Sequence, residues 1–119
     1  MKTFEEMPVW QKAMSVAEEV FKITSMLPRS EDYGLTSQMR RAALSISSNI
    51  AEGFGREHTK EKCQFYNFSR GSAFELKNQL IYGIRVGYFK KDTAEKHIQI
   101  VDSIIFELNS LKRSIKSRD

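Results

Sequence analysis

The chain has 119 residues, 40% apolar and 29% charged, a balance that predicts one globular domain and excludes a disordered or fibrous chain. A formal net charge of +4 permits a polyanionic partner without requiring one. A single cysteine excludes an intrachain disulfide and a cysteine-based zinc site, and no run of about 18 consecutive apolar residues is present to cross a membrane.

The N-terminus, MKTFEEMPVWQKAM, carries acids near its start and no apolar run, so it does not read as a secretory signal, and a cytoplasmic location is expected. The first predicted helix runs from about Pro8 to Leu27. Pro8 suits a first turn, Trp10, Ala13, Met14, Ala17, Val20, Phe21, Thr24 and Leu27 recur at steps of three and four, and Pro28 stops it. The second runs from about Leu35 to Glu52 or slightly beyond, with Thr36 as expected N-cap and Leu35, Met39, Ala42, Ala43, Ile46 and Ile50 as its apolar face. Gly53 and Gly55 stand where a left-handed C-terminal cap is expected.

The third helix is expected from about Lys60 to Val86, with Thr59 as N-cap, Glu61 in the positive first turn and Gly87 as its stop. Its core stripe reads Phe65, Phe68, Ser72, Leu76, Leu80 and Ile84. The fourth opens on DTAE, Asp92 to Glu95, a capping-box pattern, and continues through Ala94, Ile98, Val101, Ile105, Leu108, Leu111 and Ile115. No segment alternates with period two long enough for a strand. The expected fold is all-α, an antiparallel up-down-up-down four-helix bundle over residues 1–119 as one domain.

Phe74 and Ile81 on the third helix, and Ile100 and Ile104 on the fourth, lie off the core stripes. They are the expected contacts of a homo-oligomer, against the alternative that a bundle helix simply has a wide apolar face.

No catalytic constellation emerges. Neither His58 nor His97 has Glu three residues before it, so the Glu-x-x-His pattern of di-metal bundles is missing, and no Arg stands four to six residues ahead of either histidine as in some small helical ribonucleases. Cys63 lacks a well-placed base, and the GFG at 53–55 follows a helix and lacks Gly-Lys-Ser/Thr, so it is not a phosphate loop. A non-enzymatic protein is expected, with no metal, no cofactor and no small-molecule substrate.

Within helix two a polar row steps by three and four beside the apolar one: Gln38, Arg41, Ser45, Asn49, Glu52 and Arg56. Small neighbours such as Ala42, Ala43, Ser47 and Ala51 make this helix thin, and polar groups pressed between thin helices need partners, because an unpaired one costs about 1–3 kcal/mol. A structural network of Gln38, Arg41, Asn49, Glu52, Ser72 and Glu75 is expected, with Arg41 and Glu75 as a forked pair, lying between helices or between subunits. Arg40, Arg56, Lys60, Lys62 and Arg70 are expected to cluster around the corner joining helices two and three, as contacts for RNA or DNA, diluted by Glu57 and Glu61. Lys112, Arg113, Lys116 and Arg118 form a second basic set, weighed lower because a charged helix end is usually just solvated.

The stretches VWQKAM (9–14), YGLTSQMRRAALSISSNIAEGFGR (33–56) and GSAFEL…QL (71–80) resemble the bacterial four-helix bundle proteins, among them those encoded by intervening sequences within large-subunit (23S) ribosomal RNA genes. The resemblance runs from Phe4 to about Val101. It implies a cytoplasmic bundle assembled as a ring-like homopentamer, similar to the nucleic-acid-binding accessory proteins of diversity-generating retroelements. By that analogy Arg40, Arg41 and Arg56 contact nucleic acid, and five copies of +4 carry +20 together. Relatives often have proline where this chain has Ser47, which implies a straighter second helix here. The alternative is a scaffold or adaptor for another protein, with no direct nucleic-acid role.

Overall fold

The computed structural model describes residues 1–118. Helix α1 spans Pro8–Thr24, α2 Leu35–Phe54, α3 Thr59–Arg85 and α4 Lys91–Ser117, with single 3-10 turns at Phe4–Glu6 and Arg29–Glu31 and no strand among the described residues. The four pack side by side into a body of 48 × 24 × 20 Å.

Spacing at three and four residues places an apolar row on each helix, and the four rows meet. Val16 and Val20 of α1, Met39, Ala43, Ile46 and Ile50 of α2, Ala73, Leu76 and Leu80 of α3, and Val101, Ile104 and Leu108 of α4 are all essentially without solvent contact. Ile104 is therefore core, not a contact surface: it is wholly enclosed, whereas Phe74, Ile81 and Ile100 do reach solvent.

The α3 stripe corrects the expected one over its first half. Cys63, Tyr66 and Ser69 are buried there, Phe65 is only half-buried and Phe68 is 51% exposed. The reason is the thinness of α2. A Cβ on Gly53 would lie 2.6 Å from Cε1 of Tyr66, so the ring occupies the space a side chain would take. One turn on, the Ser69 hydroxyl donates to the carbonyl oxygen of Ile46 at 2.8 Å. Close approach of two backbones selects the ring and the small hydroxyl, and pushes the two phenylalanines outward.

Several helix ends depart from their expected caps. α1 stops at Thr24, three residues early, because Ser25 to Leu27 close into tight turns before Pro28. α2 takes no cap from Thr36, which lies buried inside its first turn; the Glu31 carboxylate accepts from the Leu35 N–H at 3.0 Å instead. Gly55 is right-handed at φ −76°, and α2 is closed by Lys62, whose Nζ donates to the carbonyls of Phe54 (2.8 Å) and Gly53 (3.3 Å). His58, not Thr59, holds the cap position of α3. Asp92 lies in the first turn of α4, behind Lys90 at the cap, and accepts from the adjacent Thr93 N–H. Gly87, at φ +87°, ends α3 as expected.

Glu31 does more than cap. Its second oxygen accepts from the Tyr88 hydroxyl at 2.7 Å, joining the α1–α2 link to the α3–α4 link. The Leu35 N–H, then the Tyr88 hydroxyl, hold the carboxyl below its ordinary range, against a smaller opposing effect of burial. A depressed folded-state pKa contributes stability above the unfolded value, 4.5, and loses it as pH falls through the folded one. Thermal stability is thus expected to decline more steeply below about pH 4.5 in the native chain than in Glu31→Gln, measured as Tm against pH; parallel profiles would show the carboxylate contributes nothing.

Candidate nucleic-acid interface

The polar row of α2 splits in two. Ser45 lies between helices: its Oγ accepts from Ser72 Oγ at 2.9 Å and from Asn49 Nδ2 at 3.0 Å, and Asn49 also donates to the Ser45 carbonyl. Gln38, Arg41 and Glu52 are exposed, as is Glu75, and Arg41 and Glu75 form no ion pair among the described residues. The inter-helix network is therefore Ser45, Asn49 and Ser72, narrower than expected, because α2 turns only one edge of its polar row toward α3.

The cations expected at the α2–α3 corner do not all gather there. Arg40 lies 16 positions before Arg56, about 24 Å along a helix. Its guanidinium donates to Thr24 Oγ1 (2.9 Å), Ser25 Oγ (3.1 Å) and the Phe21 carbonyl (3.3 Å), and covers the Phe21 ring at 4.3 Å. It finishes the C-terminal end of α1, where a cation complements the free carbonyls. Lys62 is committed to the end of α2. Arg56 lies over the Phe65 ring at 4.6 Å, and Phe65 meets Phe68 edge-on. With Glu52, Glu57 and Glu61 around them, Arg56, Lys60 and Lys62 leave the corner near neutral.

Positive charge concentrates instead where the first half of α3 meets the last half of α4. Arg70 Nη1 donates to Asn109 Oδ1 at 2.7 Å, and Lys112 donates to Asn67 Oδ1. A shallow groove lined by Lys60, Gln64, Asn67 and Lys116 continues the seam. Lys112 is held below the usual lysine range by partial burial first, then by the charges of Arg70 and Lys116. Arg113 and Arg118 extend the set. No carboxylate occurs from 109 to 118, and Glu61, nine residues before Arg70, projects about 180° away from it. Such crowding of like charge, with amide and hydroxyl donors between, suits an anion carrying several negative groups.

The sequence singles out Lys60 and Arg70, which the structure places along this seam, and sets the α4 cations apart from them. Basic residues at a helix end read as solvated until the register of α4 against α3 is known. Among the described residues no group of three or more His, Cys, Asp or Glu side chains could hold a metal ion, and no helix is long and apolar enough to cross a membrane.

A family model described as 23S rRNA-intervening sequence protein matches residues 5–110. The crystal structure of a protein with unknown function from the S23 ribosomal protein family of Bacteroides thetaiotaomicron has a TM-score of 0.82 to this chain at 21% identity, covering 87% of this chain and 97% of the other. That likeness shows the fold. No curated protein matches.

Proposed function

The chain belongs to the 23S rRNA-intervening sequence protein family, and from that premise we propose that it is a non-enzymatic, oligomeric bundle that binds RNA or DNA through the α3–α4 seam. The observation that carries this reading is the gathering of Arg70, Lys112, Arg113 and Lys116 along a stretch without an interposed carboxylate, with Lys60 at its edge beside Glu61. The bundle is antiparallel in this reading. Supporting it, Arg70 bonds Asn109 while Lys77 pairs with Asp102 at 2.8 Å, so numbers rise on one helix as they fall on the other.

Self-association, as a homopentameric ring in a cytoplasmic setting, completes the proposal. Phe21, Leu44, Ile81 and Ile100 each leave more than a third of their surface in water, an apolar excess that a second copy would cover. The same exposure favours the competing reading, a scaffold for another protein. Titration of duplex and single-stranded oligonucleotides at several salt concentrations parts the two. The proposed function requires log K to fall linearly with log salt, at about −0.9 per duplex phosphate neutralised. Absence of binding to either probe at low salt leaves the scaffold.

A further inference from the structure

Two phenylalanines stand on the outer side of the basic seam. Phe74 and Phe106 are 53% and 68% exposed, a large apolar area to leave in water beside Arg70, Asn109 and the Lys77–Asp102 ion pair. The Arg70–Asn109 and Lys77–Asp102 contacts bracket both. Phe74 is four residues past Arg70 and three before Lys77; Phe106 is four past Asp102 and three before Asn109. Each ring is therefore rotated, in the same sense, by about 40° from the first bracketing residue and about 60° from the second. On helices running in opposite senses, equal rotations carry both rings to one side, and their exposure shows that side to be the outer one. Gly71, one turn before Phe74, leaves open space where a Cβ would be, so nothing overhangs the ring from that direction.

We propose that Phe74 and Phe106 form a platform on which unpaired bases of a single strand stack, while Arg70, one turn from Phe74, and Arg113, two turns past Phe106, hold the strand's phosphates. This rests on the nucleic-acid reading of the seam and names its ligand as single-stranded. The spacing alone marks Phe74 for contact with a second copy. Arg70, one turn before it, favours a polyanion with flat apolar faces, since an aromatic ring beside a basic group supplies both attractions a single strand offers. A duplex hides its bases and leaves the rings uncovered.

The test uses the full chain with three probes: a fluorescent oligothymidylate, a duplex of equal length and inorganic polyphosphate. Phe74→Ala combined with Phe106→Ala is expected to weaken oligothymidylate binding by tenfold or more, and to change polyphosphate binding by less than twofold. Phe106→Trp, read against the Trp10 background, is expected to bind with quenched emission for the single strand and none for polyphosphate. An equal loss with both anions, unchanged binding to the single strand, or a change in particle mass in the double variant would each overturn the platform. The last would assign the rings to contact between copies. If polyphosphate and duplex bind but the single strand gains nothing from the rings, the platform alone fails; if no probe binds, the phosphate-binding seam fails with it.

Discussion

Leu76→Ala is expected to destabilise the fold by about 2–5 kcal/mol, a large part of the roughly 5–15 kcal/mol that holds a domain together. Leu76 has no solvent contact and lies in the cluster where all four apolar rows meet. Its truncation removes buried methyl groups and leaves a void that helices held by bonds such as Ser69–Ile46 cannot easily close. Chemical denaturation should show a lower midpoint with an unchanged slope, and the melting temperature should drop by roughly 10–20 °C. Ile81→Ala, at a site 40% exposed, should cost only a fraction of this. Equal losses at the two positions would mean that the core is not where the structure places it.

The second large effect concerns binding. Replacing Lys60, Arg70, Arg113 and Lys116 together by alanine should reduce the steepness of log K against log salt by about three to four units on duplex DNA. Over a fourfold change in salt, this amounts to roughly a hundredfold difference in lost affinity between native chain and variant. The variant should keep its helical content, because these side chains lie outside the core. Replacing Arg40 instead should leave the slope alone and loosen the end of α1, since its guanidinium is spent on Thr24, Ser25 and Phe21. An undiminished slope in the fourfold variant would place the phosphates elsewhere.

The helices were legible in the sequence because three-and-four spacing needs no tertiary information. Several of their ends were not. Thr36 and Asp92 look like caps by residue type, yet Glu31 reaches α2 from the preceding turn, and Lys90 takes the cap position before Asp92. Lys62 closes α2 from the next helix, which local patterns do not reveal. The phase of α3 shifted for a similar reason, since Gly53 offers room for Tyr66 rather than for Phe65. The candidate site was half legible. Lys60 and Arg70 were picked from charge alone, but the weight of Lys112, Arg113 and Lys116 depends on which turn of α4 lies against Asn67 and Arg70. Arg40 was misplaced because a cation's type does not tell whether a helix end or a partner takes its charge.

Under the proposed function, the segregation of cations along one seam also bears on how quickly the molecule would find a polyanion. A surplus of charge lying off-centre in a body 48 Å long gives it an electric moment, and a distant polyanion exerts a torque that turns the seam forward before collision. Encounter is then oriented rather than random, so stopped-flow mixing should show added salt slowing association more than it hastens departure.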